Sequence, residues 1–150
     1  MERKSRQQET EEAISAANMA MMSLKRAEEQ LDRAGNWGLW DMLGGGLLST
    51  MFKHSRMDEA QAAMNEARDH LRRLKRELLD VNLTSELKMD VGNFLTFADY
   101  FFDGLIADWM VQSKISDARE QVREAQRQVG AIRNRLQELR RTETGDQEER

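Results

Sequence analysis

Six side chains of this chain have the chemistry to hold a divalent cation: Asp41, Asp58, Asp99, Asp103 and Asp108, with His54 as a single imidazole. Hard cations take carboxylate oxygens, and one imidazole would extend the set toward a transition ion. Helical di-metal bundles, however, draw ligands from Glu-x-x-His pairs, and here His54 follows Met51 and His70 follows Ala67. Asp58 has a simpler reading as a helix cap, and Asp41 and Asp99 suit capping or accepting an indole N–H. His70 adjoins the apolar position Leu71 and reads as a flank histidine with a local partner. Neither a metal nor a cofactor is expected.

The run Gly44-Gly45-Gly46 would let backbone amides approach a phosphate at the start of a helix. It lacks the Lys-Ser/Thr of a P-loop and the spaced glycines of a dinucleotide fold, so a hinge or tight crossing is the better reading. With two histidines, no cysteine and no serine in a strand-to-helix elbow, no nucleophilic constellation is visible. The expectation is a non-enzyme.

The totals narrow the class further. A formal charge of -4 opposes a dedicated nucleic-acid binder, which would concentrate positive charge. Arginines cluster over Arg72–Arg76 and Arg119–Arg141 among glutamates, the pattern of a solvated helix face laced with local ion pairs. The absence of proline suits uninterrupted helices, and the absence of cysteine removes disulfides and thiolate zinc sites. Met1–Glu12 is charged and lacks the apolar core of a signal peptide, and no apolar run approaches the roughly 18 residues of a membrane span. A cytoplasmic setting is the expectation.

These residues must be positioned by helices. Ile14, Ala17, Met21, Leu24 and Leu31 step by three or four, predicting helix 1 over 11–34 with Gly35 as its stop. The stretch 35–54 reads as a Trp/Gly cap, and Ser55-Arg56-Met57-Asp58 as the capping box of helix 2 over 55–81. The helix 2 stripe is Met57, Ala60, Met64, Ala67, Leu71, Leu74, Leu78 and Val81, unbroken in threes and fours, as in a coiled-coil seam. Residues 82–93 read as a connection, with Gly92-Asn93 as a turn. Helix 3 is predicted over 94–141, aromatic at first and then striped by Ile115, Ala118, Val122, Ala125, Val129, Ile132, Leu136 and Leu139. Residues 1–8 and 142–150 read as polar tails.

A shift of 58 positions lays the second stripe on the third, Met57 on Ile115 and Leu78 on Leu136. It also aligns Asp41 with Asp99, Gly46-Leu47 with Gly104-Leu105, and Ser55 with Ser113, where no heptad rule operates. The implied unit is an apolar cap followed by a striped helix. The fold class expected is all-α: an antiparallel three-helix, coiled-coil-like bundle in one domain, 1–150, with short aromatic or Gly-rich caps at the helix connections. The stripes alone are thin for a core, so burial from the caps or from a second copy is expected.

Function then falls to the residues outside the stripes. A helical interaction or scaffold protein is expected, self-associating or binding a helical protein partner through its seams and its Trp/Gly cap. The contact residues expected are Trp37, Trp40, Met42, Leu43, Leu47, Met51 and Phe52, with Phe101, Phe102 and Trp109 from the second cap. The alternatives are a peripheral membrane-surface protein using the same apolar segments, and a bundle holding a metal or small ligand.

Overall fold

The computed structural model describes residues 5–44, 47–81, 85–100 and 115–148, with the backbone alone for 35–44, 47–57, 85–86, 115–116, 144 and 146–148. All the described elements are helices: α1 (Arg6–Gly44), α2 (Leu47–Asp80), α3 (Ser85–Tyr100) and α4 (Ile115–Glu148). Four helices among the described residues replace the three expected.

α1 starts earlier than its stripe suggests because Ser5 and Gln8 form a capping box. The Gln8 amide donates to Ser5 Oγ at 3.1 Å, and the Ser5 amide donates to Gln8 Oε1 at 3.2 Å. α1 also runs through Gly35 and Gly38 to Gly44. Each glycine costs a helix only about 1 kcal/mol, so without proline neither is a sufficient stop. The described parts of 35–54 are therefore helix rather than a separate cap, and Ser55–Asp58 lies inside α2 instead of opening it.

The expected connection over 82–93 is helical from Ser85 onward, with Gly92-Asn93 inside α3. The single helix expected over 94–141 is divided: Phe97 and Gln128 line one groove, although on a straight helix they would stand roughly 45 Å apart. The C-terminal tail is likewise helical to Glu148.

α1 is the central element and packs on both α2 and α4. On its α2 side, Ser23 shares a hydrogen bond with His70 Nδ1, and Arg26 Nη1 lies 2.9 Å from Glu66 Oε1. On its α4 side, Thr10 meets Glu143 at 3.1 Å, Glu28 meets Arg123 at 3.0 Å and Asp32 meets Arg119 at 2.6 Å. Numbers fall along each partner as they rise along α1, so α2 and α4 both run antiparallel to it. α3 packs mainly on α4, with Arg135 Nε 3.4 Å from Asp90 Oδ2, and reaches α2 through Lys75 Nζ and Asp99 Oδ1 at 3.2 Å.

The buried stripes are those of the sequence. Ala60, Met64, Ala67, Leu71, Leu74 and Leu78 of α2 and their counterparts Ala118, Val122, Ala125, Val129, Ile132 and Leu136 of α4 are all buried. Between them α1 offers Ala13, Ala16, Ala17, Ala20, Ala27 and Ala34, small side chains that let two neighbouring axes approach. α3 contributes Leu87, Val91, Phe94 and Ala98, again in threes and fours. The 58-residue offset also appears in space. Interpolating between the Met21–Gly130 approach and the Glu28–Arg123 pair sets Ala125 opposite Arg26, one residue from Glu124, the counterpart of its α2 partner Glu66.

Candidate functional site

α1 and α2 form a hairpin that outruns α4. Extending the Asp32–Arg119 pairing by one turn brings Ile115, the first residue of α4, level with Asn36. Beyond that level, α2 is the neighbour of α1 among the described helices. The hairpin end carries seven of the ten residues expected to meet a partner: Trp37, Trp40, Met42 and Leu43 on α1, and Leu47, Met51 and Phe52 on α2. Phe101, Phe102 and Trp109 lie outside the described residues.

The helical register sorts these seven. Positions one heptad apart share a face, so burial lower on each helix calibrates the lines along which its end continues. On α1, Ala13, Ala20, Ala27 and Ala34 define the innermost line, which continues to Asp41; the adjacent line Ala17, Leu24, Leu31 continues to Gly38. The flanking lines run through Arg26 and Arg33, which meets α2 at Arg26–Glu66, through Lys25 and Asp32, which meets α4 at Asp32–Arg119, and through the exposed Met22 and Glu29; by backbone register alone they reach positions 40, 39 and 43. By backbone register Trp37 continues the line of Ser23 and Gln30, and Met42 that of Met21 and Glu28.

The innermost lines of α2 are Ala60-Ala67-Leu74-Val81 and Met64-Leu71-Leu78. Its flanking lines hold Asp58, Arg72 and the exposed Leu79; Glu59, Arg73 and Glu66, the last paired with Arg26 of α1; and Asp69 and Arg76; by backbone register they reach positions 51, 52 and 48 respectively. Leu47 belongs to the half-buried flank line of Gln61, Arg68 and Lys75. Along the bundle the described side chains are thus apolar inside and mostly charged outside, with Met19, Met22 and Leu79 the exposed apolar exceptions on α1 and α2. At the hairpin end the composition changes: from Ala34 to Phe52 the chain carries one charged residue, Asp41.

The carboxylates do not assemble. Asp99 pairs with Lys75, whereas Asp41 lies near the hairpin turn, roughly 30 Å away along the α2 axis. Among the described residues no group of three His, Cys, Asp or Glu side chains converges on a point. His70 is engaged by Ser23, which is 3% exposed and sits mid-helix, a satisfied buried hydroxyl.

A second feature is the groove of about 530 Å³ between α3 and α4, lined by Asp90, Asn93, Thr96, Phe97, Glu124, Gln128 and Ala131. Its charges are already matched. Arg135 lies beside Asp90, while Gln128 Nε2 donates to Glu124 at 3.1 Å and Arg127 reaches the same carboxylate. The Gln128 hydrogen bond, aided by Arg127 and opposed by burial, holds the Glu124 carboxyl below its ordinary range. A ligand would therefore have to displace existing pairs, so the groove is a less favourable recognition surface than the hairpin end.

Nothing among known family models, curated proteins or solved structures matches the chain.

Proposed function

We propose that this chain is a non-enzymatic helical docking module, in which coiled-coil-like packing of α1, α2 and α4, buttressed by α3, forms a frame that presents the α1–α2 hairpin end to a partner. The observation that supports this reading is that the hairpin carries a single charged residue, Asp41, from Ala34 to Phe52, and outruns the start of α4 there. The stripes of α2 and α4 are buried within one chain, so they have no free seam to offer and recognition moves to the end of the hairpin. Outward residues of a docking surface are dispensable for folding. Leu43→Glu and Leu48→Glu are therefore expected to change the unfolding free energy by no more than about 0.5 kcal/mol each. A loss above about 2 kcal/mol in chemical denaturation would place them in the core and end this reading.

A further inference from the structure

We infer that the groove between α3 and α4 binds a linear aliphatic polyamine, a second activity that stands apart from docking by the hairpin end. The hydrogen-bonding capacity left in its wall is almost wholly for accepting. Gln128 Nε2 donates to Glu124, while Gln128 Oε1 is buried without a hydrogen-bond partner. The orientation of that amide is fixed by its neighbour, because turning it would set the oxygen against the carboxylate. Thr96 donates its hydroxyl proton to the Gly92 carbonyl at 3.1 Å, so its oxygen can only accept from a ligand. Asp90 and Glu124 are acceptors too, which leaves Asn93 as the lining side chain with a donor to offer.

A wall of this kind is completed by donors that carry positive charge. The pairs already on its carboxylates have to give way, and for a cation that exchange is easy. Arg135 lies beside Asp90 and Arg127 beside Glu124, both pairs substantially open to solvent, where an ion pair contributes little. A ligand of the same sign replaces one ion pair by another and, in addition, gives Gln128 Oε1 the donor it lacks. A neutral or anionic ligand would break the pairs and leave two carboxylates uncompensated beside it.

The shape narrows the class further. Arg135, which marks the level of Asp90, and Glu124 stand roughly 16 Å apart along α4. About 530 Å³ spread over that length makes a groove wide enough for one extended chain and too narrow for a helix roughly 10–12 Å across. Phe97 and Ala131 line it between the two carboxylates and offer apolar surface to methylenes. A linear tetramine has this construction: terminal ammonium groups for Asp90 and Glu124, inner ones for Gln128 Oε1 and Thr96 Oγ1, and methylenes for the apolar wall.

Calorimetric titration of the full chain with spermine tests the assignment. One saturable site is expected, with putrescine, too short to reach both carboxylates, at least about tenfold weaker. Glu124→Gln and Gln128→Leu should each weaken spermine by about tenfold. Glu120→Gln, which removes the same charge from an exposed position of α4 outside the groove, should leave the affinity within about twofold. Arg127→Ala should tighten binding by about twofold or more, because Arg127 competes for Glu124. No saturable heat, or an unchanged affinity in Gln128→Leu, would overturn the assignment. Equal losses in Glu124→Gln and Glu120→Gln would do the same, since they would reduce the binding to bulk attraction between a polycation and an acidic chain. If circular dichroism shows that either lining variant loses helicity, Arg127→Ala decides, because that side chain is too exposed for its removal to unfold the chain; unchanged or weaker binding there sinks the site.

Discussion

Gly130 offers a stringent test of how α1 meets α4. It lies in the interior of α4, where replacing glycine by alanine gains about 1 kcal/mol of helix propensity if the new methyl group fits. A Cβ built there would stand 3.6 Å from Met21 Cε of α1, an ordinary van der Waals distance to the end of a flexible side chain. Gly130→Ala is therefore expected to stabilise the fold by about 1 kcal/mol, raising the unfolding midpoint by about 2–4 °C for a chain of 150 residues. Gly92 of α3 is the control, because a Cβ there meets nothing within 4 Å and Gly92→Ala should give the propensity gain alone. Calorimetry of both single variants and the double variant reads the result, with additivity expected because the two sites share no partner. If Gly92→Ala stabilises while Gly130→Ala destabilises, α1 and α4 approach more closely than described and the Met21–Gly130 register fails. If both destabilise, the helix assignment around the glycines fails.

The core and the terminal contact make two further predictions. Leu74→Ala, at a position fully shielded from solvent on the innermost line of α2, is expected to cost about 2–5 kcal/mol in urea denaturation; a cost under about 1 kcal/mol would contradict its burial. Burial raises the Glu143 carboxyl above its ordinary value, with Glu9 adding to the rise while the Thr10 hydroxyl and Arg6 oppose it. The stability linked to its proton is thus complete below the unfolded-state range and lost as pH rises through the higher folded-state value. Glu143→Gln should accordingly exceed the parent at neutral pH by less than about 1 kcal/mol and match it in acid; equal pH profiles would refute the assignment.

The Thr10 hydroxyl opposes that rise only in part. It has one proton, yet Oγ1 lies 2.9 Å from the Arg6 carbonyl and 3.1 Å from Glu143 Oε1, so the two acceptors share it and burial keeps the upper hand.

What the sequence makes legible is periodicity, and what it hides is where periodicity ends. Met64, Leu71, Leu74 and Leu78, like Val122, Val129, Ile132 and Leu136, are buried because a repeat of threes and fours leaves a helix one way to face a neighbour. Helix boundaries depend on small local energies that packing overrides: Gly35 looks like a stop, yet α1 continues beside α2 for nine more residues. Gly92 looks like a turn, but its missing side chain faces open space, so α3 tolerates it at the cost of propensity alone. The capping rule itself was sound and misplaced, since Ser5-x-x-Gln8 obeys it while Ser55-x-x-Asp58 falls mid-helix. The α3–α4 groove escapes a sequence reading because it needs the chain reversal between Tyr100 and Ile115.

That reversal also limits what the 58-residue repeat can mean. α2 and α4 match because each lies antiparallel to α1 with equivalent positions buried against the core. Had the whole α1–α2 hairpin been copied, Asp90, the counterpart of Asp32, would lie beside the counterpart of the α2 residues level with Asp32, which is the neighbourhood of Arg119. Instead Arg119 is engaged by Asp32 from α1, and Asp90 meets Arg135, sixteen residues along α4. At about 1.5 Å per residue this is a displacement of roughly 24 Å, too large for a local slip of register. Sequence likeness over the apolar cap does not therefore carry likeness of position. Asp99 is drawn to Lys75 beside the core, while its counterpart Asp41 lies near the end of α1, roughly 30 Å away along the α2 axis. In α3 Asp99 helps fasten a fourth helix to the bundle, a role that the position of Asp41, near the end of α1, does not repeat.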